Sequence, residues 1–438
     1  MKNMEGSILA VVSLCFGLTC VRAEEVETTS DDMVKPELVD AQPAASTEQP
    51  AQPESLTLDQ ALDLAAMHHP DHAFWRAQAD AAEGRAHQVS RLPNPSFSGR
   101  IESAPFRGKT LGEAEYLAGF SQEIPTAGKL SKARRVEELD RERLMREQSA
   151  GWVDIRKRIH AAFATALYMN EFKKQYEQTL RSTEQGVTIA MSRQEAGDAA
   201  PGEATRAEME VVRIKLESQK AQSLLIQAMT DLIYAIGDPS LQIHSVQGHL
   251  DTILNIPAIE ELAAQLDRHP RIQAIEAEAE VNRARMTLAK AQRVPSVNFD
   301  LMYRRVEGER RDALDSGFSI SIPLFDGGKG RIREAQANIV ASEARARSTR
   351  VALEGQLRAA YQRLSRELTS ANTIKNELLP RADQVFKTAE SRYEGGDIGL
   401  SEILPLRRER AALHLDYLES LREVMLAWSE LSSFIQQH

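Results

Sequence analysis

Cysteine is nearly absent from this 438-residue chain: Cys15 and Cys20 are the two present, both close to the N-terminus. A chain cut beyond them has no disulfide and no thiolate ligand for a metal. Aromatic residues make up only 5%, whereas charged residues make up 27% and Ala, Glu, Arg, Leu and Gln dominate the body. That is a composition of long helices, not of a compact aromatic core. Proline is missing from residue 126 to residue 195, room for one helix roughly 100 Å long at about 1.5 Å per residue. Past the N-terminal segment no apolar run reaches the ~18 residues of a membrane helix, although a β-barrel span, with its weaker signal per strand, stays open. A formal charge of -10, without basic clusters interleaved with aromatics, excludes a general nucleic-acid binder. Nucleophile-elbow, zinc-protease and dinucleotide signatures are also lacking, so the chain is not read as an enzyme and no cofactor is expected.

Residues 1–23 read as an export signal: Lys2, an apolar run from Ile8 to Leu18, and Val21-Arg22-Ala23 before the cut. A lipoprotein acylated at Cys20 is the alternative, although Gly17-Leu18-Thr19 fits that pattern poorly. Residues 24–55, rich in Glu, Thr, Ser, Pro and Gln, have the composition of a disordered leader.

What remains is written twice. His69-Pro70 recurs as His269-Pro270, and Arg91-Leu92-Pro93 as Arg293-Val294-Pro295. Ile124-Pro125 before Gly128-Lys129 recurs as Ile322-Pro323 before Gly328-Lys329, and Gly197-Asp198 with Glu203 as Gly396-Asp397 with Glu402. An offset of about 200 residues is far longer than a solenoid period, so the unit is domain-sized. The repeats are placed at 56–240 and 258–438, joined by a linker over 241–257.

Each repeat has the same internal order. Leu58, Ala61, Leu62, Ala65 and Ala66 step at helical spacing after Thr57, and a second helix runs from the His-Pro break to about Arg91. Alternation then takes over in a hairpin spanning 95–124, with Phe97, Ile101 and Phe120 on an apolar face that Gln122 and Leu117 blur. A long helix follows to a tip turn at 196–202, and a shorter one returns to about Ile236. The second repeat places its hairpin at 296–323, with Phe299, Leu301, Phe318, Ile320 and Ile322 alternating on either side of a charged loop, Arg304 to Asp315. In its long helix Leu357, Tyr361, Leu364, Leu368, Ala371, Leu378, Ala382, Val385 and Ala389 form a heptad seam, with a kink expected at Pro380, and its tip turn is at 394–400.

The fold class is therefore mainly helical with a small β part: duplicated long helical hairpins plus four strands per chain. Strands of about eight to ten residues suit a tilted membrane span, and Phe97, Ile101, Phe120, Phe299, Leu301, Phe318 and Ile320 are the expected lipid-facing side chains. Four strands leave open edges that lipid does not tolerate, so the chain must oligomerise. The competing reading is a soluble periplasmic coiled-coil adaptor or scaffold in which the strands cap a bundle.

At this point the residues resemble the TolC family of trimeric outer-membrane efflux channels, over nearly the whole chain from about Leu56. The specific pieces are Ser121-Gln122-Glu123-Ile124-Pro125 with Gly128-Lys129, Ile322-Pro323-Leu324-Phe325-Asp326-Gly327-Gly328, Leu379-Pro380, and Arg392-Tyr393-Glu394-Gly395-Gly396 leading to Leu404. The first resembles the branch serving heavy-metal exporters of the cobalt–zinc–cadmium and copper–silver kind. The resemblance implies a homotrimer closing a barrel of twelve strands in outer-membrane lipid, a helical tunnel through the periplasm, a periplasmic adaptor, and an inner-membrane pump of the resistance–nodulation–division class. It implies that the helix tips dock the adaptor and form a closed gate. Carried over, the docking residues are Arg193, Gly197, Arg392, Tyr393, Gly396, Gly399, Leu400 and Ser401; the gate and acidic ring are Asp198, Glu203, Tyr393, Asp397 and Glu402. Tyr393 matches a gate tyrosine that makes hydrogen bonds. Ile398 stands where the family places a gate arginine, and Pro405 where it places a second acid.

The four carboxylates also fit plain cap and first-turn positions of the returning helices. Gly327-Gly328-Lys329-Gly330 lacks phosphate-loop spacing and reads as a strand-to-helix turn. His68, His69 and His72 could share a helical face, but only His69 has a repeat counterpart and Pro70 interrupts the helix, so no metal site is assigned.

Overall fold

The computed structural model describes residues 55–103, 114–198, 200–251 and 256–435. The export segment and Cys20, the leader up to residue 54, residues 104–113 of the first hairpin and part of the linker lie outside the described residues.

The first repeat contains α1 (Leu58–His68), α2 (Pro70–Val89), β1 (Ser96–Glu102), β2 (Glu115–Ile124), α3 (Lys129–Ala196) and α4 (Glu203–Ile236). The second contains α5 (Ile259–Gln265), a 3₁₀ turn, α6 (Pro270–Gln292), β3 (Val297–Val306), β4 (Arg311–Ile320), α7 (Lys329–Thr373), a π turn (Ile374–Leu378), α8 (Leu379–Glu394) and α9 (Leu400–Ser432). Helix α3, at 68 residues, is about 100 Å long. Both α2 and α4 pack along it, and α6 lies between α3 and α7.

The His-Pro breaks are junctions between helix ends. His69 and His269 have extended backbones, and their Nδ1 atoms accept the N–H of Asp71 and Arg271 at 3.2 Å, so each caps a helix whose first residue is proline. In the first repeat the end of α4 abuts the start of α2: a Cβ on Gly237 would meet His69 Cδ2 at 2.8 Å and Pro70 Cδ at 2.9 Å. In the second, the His269 ring packs 5.7 Å from that of Phe434 just past α9. The short helices of each repeat thus stack end to end beside the long one, as their lengths predict. At α1, Thr57 and Gln60 form a reciprocal capping box.

The main core surrounds these junctions. Ile155, Ile159, Leu232, Leu357 and Leu364 are fully buried there, each contributing about 1.5–3 kcal/mol by removal from water.

Three expectations need correction. The heptad seam holds through Leu357, Leu364 and Ala371, but Leu378 and Val385 are exposed, and Leu379, Phe386 and Tyr393 are buried in their place. The π turn before Pro380 inserts one residue and advances the buried phase by one position at Leu379 and Phe386, while Ala389 is buried as the heptad expects. The charged stretch Arg304 to Asp315 is not a loop of that length, because β3 runs to Val306 and β4 starts at Arg311. Its charges pair across strands, Arg304 with Asp315 at 2.7 Å and with Glu115 at 3.1 Å, and Arg305 with Asp312 at 3.5 Å. The hairpin also stops at Ile320, so Ile322 lies beyond the strand.

Candidate functional surfaces at the sheet and the helix tips

The strands form one antiparallel sheet in the order β1-β2-β3-β4, leaving β1 and β4 as edges. Phe97 faces Phe120, Phe120 faces Leu301, Phe299 faces Phe318, and Val297 lies between Ile124 and Ile320. Directly opposed residues share a face, so Phe97, Ile101, Phe120, Phe299, Leu301, Phe318 and Ile320 all project from one side. All of them are exposed in the protomer. The other side carries Ser98, Arg100, Ser121, Glu123, Asp300 and Arg304 around a small buried patch of Leu117, Gly119 and Met302. Gly119 is required there, since a Cβ would sit 2.1 Å from the Leu301 carbonyl oxygen and 2.6 Å from Met302 Sδ. Gln122, which breaks the apolar alternation, donates to the Pro93 carbonyl at 2.9 Å.

At the far end of α3 the chain reverses twice, by the same device. Gly197 and Gly396 have φ of 80° and 83°, and the following Asp198 and Asp397 donate their backbone N–H to the Arg193 and Arg392 carbonyls at 2.9 Å. This left-handed turn satisfies the last carbonyls of α3 and α8. The side chains of Asp198, Asp397, Arg392, Ser401 and Glu402 are exposed.

Arg193 and Glu203 point the other way. Arg193 Nη1 donates to the carbonyls of Tyr393 at 3.1 Å and Ile398 at 3.2 Å, and Nη2 donates to that of Asp198 at 3.3 Å. Its guanidinium lies 4.7 Å from the centre of the Tyr393 ring. Glu203, 7% exposed, accepts the Leu400 N–H at 2.8 Å and the Ala200 N–H at 3.3 Å. One carboxylate thus caps the start of α9 and closes the first turn. Its acidity serves the joint between turns and is not presented to solvent. The Tyr393 ring is buried against Arg193, and burial beside Glu203 pushes the phenol pKa up. Ile398, found in place of the expected arginine, packs with Leu400, Ile403 and Phe386 in a small tip core. Pro405 is exposed within α9.

The joint continues inward. Arg408 forks onto Glu210, with Nε to Oε1 at 2.9 Å, and that hydrogen bond holds the buried carboxyl below the usual glutamate range. Arg407 and Arg410 stack on Phe386 at 5.8 and 5.0 Å. Sequence reasoning missed Glu210, Arg407 and Arg408, whose partners lie on other helices. Near the His-Pro junctions, burial lowers the pKa of His69, and burial with Arg271 lowers that of His269 to about 4. His68, His69 and His72 do not converge: His68 approaches the Leu64 carbonyl at 3.2 Å, His69 is a cap, and His72 packs 5.0 Å from the ring of Trp152.

A duplicated pair of long helical hairpins bearing a sheet apolar on one side defines a known class. The profile of the outer membrane efflux protein family matches residues 262–433, most of the second repeat. Among its relatives, the cobalt-zinc-cadmium resistance protein CzcC of Cupriavidus metallidurans is 27% identical over 374 residues, covering 85% of this chain and 88% of that protein. The nickel-cobalt-cadmium resistance protein NccC of Alcaligenes xylosoxydans xylosoxydans is 24% identical over 319 residues, covering 72% and 71%. The fold is similar to that of the MtrE outer membrane channel of Neisseria gonorrhoeae, with a TM-score of 0.70 at 16% identity over 86% of this chain and 88% of that one.

Proposed function

We propose that this protein is the outer-membrane duct of a tripartite efflux system, giving passive exit to solutes delivered by an inner-membrane pump of the resistance–nodulation–division class through a periplasmic adaptor. The observation that carries the reading is the sheet. Its four strands have a continuous apolar face, an opposite polar face and two unpaired edges. Unpaired edges in hydrocarbon cost several kcal/mol per unsatisfied backbone group, so copies must join β4 to β1 until a cylinder closes. Three copies give twelve strands, with the polar face lining a water-filled lumen.

Transport through such a duct requires no bond chemistry. The turns at Gly197 and Gly396 supply the adaptor-docking surface, with Arg392 and Ser401 exposed beside them, while the half-buried Arg193 and the buried Tyr393 and Leu400 hold its shape. Asp198, Asp397 and Glu402 supply an acidic ring around the periplasmic mouth. Like charges about 10 Å apart in water repel by only about 0.4 kcal/mol per pair, which a hydrated mouth tolerates while still concentrating cations. Metal cations are the cargo we favour, because CzcC and NccC are both metal-resistance proteins.

A deletion strain decides the cargo: sensitivity to cobalt, zinc or cadmium salts without sensitivity to dyes and antibiotics supports metal export, and the reverse pattern refutes it. The duct itself is tested by extraction. Release by osmotic shock without detergent, as a soluble scaffold would behave, overturns it.

A further inference from the structure

The two strand-to-helix junctions differ. In the first, Ile124-Pro125 runs through Thr126 and Ala127 into α3, and the Thr126 hydroxyl is tied inward to the Pro295 carbonyl at 2.5 Å. The second junction is longer and carries Leu324 and Phe325 instead. Ile322, Leu324 and Phe325 are exposed by 73%, 78% and 103%, as fully as Phe318 on the strand face at 77%. They follow directly in the chain on the exposed apolar residues Leu314, Phe318 and Ile320 of β4. Immediately beyond come Lys329, Arg331 and Arg333, all exposed, and no acidic residue occupies the first turn of α7. Two carboxylates accompany these three cations: Asp326, engaged by the Gly328 N–H at 3.0 Å and by Arg331 at 3.5 Å, and the exposed Glu334 just past Arg333, which leaves the cations in excess.

An apolar patch bordered by unbalanced cations, directly below a lipid-facing column, matches the boundary between acyl chains and phosphates. We infer that Ile322–Phe325 with Lys329, Arg331 and Arg333 forms an interfacial foot, seated in the periplasmic leaflet and holding anionic phospholipid headgroups. It rests on the reading of the strand face as lipid-exposed. Each protomer has one foot, on its second repeat.

The test uses the full-length channel reconstituted in vesicles of phosphatidylcholine and phosphatidylglycerol with brominated acyl chains. Trp75, Trp152 and Trp428 all lie on helices, so tryptophan added by Phe325→Trp or Phe318→Trp reads membrane contact as excess quenching. The foot predicts that Phe325→Trp is quenched at least about half as strongly as Phe318→Trp. Quenching at Phe318→Trp alone overturns the foot, whether water or a second copy of this chain covers Phe325. Quenching at neither overturns the membrane reading together with the foot. With bromine on phosphatidylglycerol alone, Phe325→Trp should quench about twofold more than with bromine on phosphatidylcholine alone, and adding Arg331→Gln with Arg333→Gln should abolish the excess. Equal quenching by the two lipids without those changes removes the headgroup assignment.

Discussion

The two tips begin from the same string, an arginine, a Gly-Asp pair and a glutamate at matching distances, and spend it differently. In the first repeat Arg193 and Glu203 turn inward, one clasping carbonyls of the second turn and the other capping α9. In the second repeat Arg392 and Glu402 face solvent. The shared residues alone do not produce this difference; the residues between them, which differ from tip to tip, and the neighbours do. The second turn presents Leu400, Ile398 and the Tyr393 ring toward the first, so the first repeat's polar side chains find backbone partners in a dry joint. The duplicated halves have thus divided the work: one holds the joint, and the other displays its charges outward.

Breaking the joint at its centre should give the largest effect. Glu203→Ala strands two backbone N–H groups and is expected to destabilise by about 2–3 kcal/mol, whereas Glu402→Ala should stay within about 0.5 kcal/mol. Thermal unfolding in detergent measures both, and planar-bilayer conductance should rise for Glu203→Ala alone. Equal losses would erase the distinction between the repeats.

The comparison extends to the histidine caps. His269 has a folded pKa of about 4 against an ordinary 6.5, so the unfolded chain binds the proton more readily. Its contribution is complete above pH 6.5 and is lost as the pH falls toward 4, on the order of 2 kcal/mol in all. His269→Asn keeps a capping side chain and should flatten the stability profile across that window. His69→Asn should flatten it less, because the Asp71 carboxylate offsets part of the lowering at His69. Glu210, its pKa depressed by Arg408, adds a loss at still lower pH, as the proton enters below the ordinary glutamate range.

Arg193→Lys removes the planar fork over Tyr393 and should cost about 1–2 kcal/mol in the same melt; Arg392→Lys should cost nothing measurable. The smallest effect comes from the shared backbone. Gly197→Ala and Gly396→Ala each place a side chain at positive φ, with open space around it, and should each cost about 1 kcal/mol. Unequal values would mean that the turns are not built alike.

The sequence carried the order of elements, the end-to-end stacking of the short helices and the apolar strand face, because each rests on a period or a cap that neighbouring residues announce. Three features were out of its reach. Beyond Tyr303 and before Leu314 the sheet is held by crossed charges, so apolar alternation fades while pairing continues. Pro380 marks the place of the π turn but not its extra residue, so the heptad count past Ala371 drifts onto Leu378 and Val385. The roles of Arg193 and Glu203 depend on a turn about 200 residues away in the chain, so their inward orientation could not be told from that of Arg392 and Glu402.

The phase slip at Ile374–Leu378 also divides the long columns mechanically. Helix α3 is a single unbroken mast, while the matching column of the second repeat carries a swivel: a π turn followed by proline, where helices bend most easily. Torque applied at the second tip can therefore be taken up by α8 without disturbing Leu357, Leu364 and their neighbours. The half that shows its charges outward is also the half whose long column is interrupted.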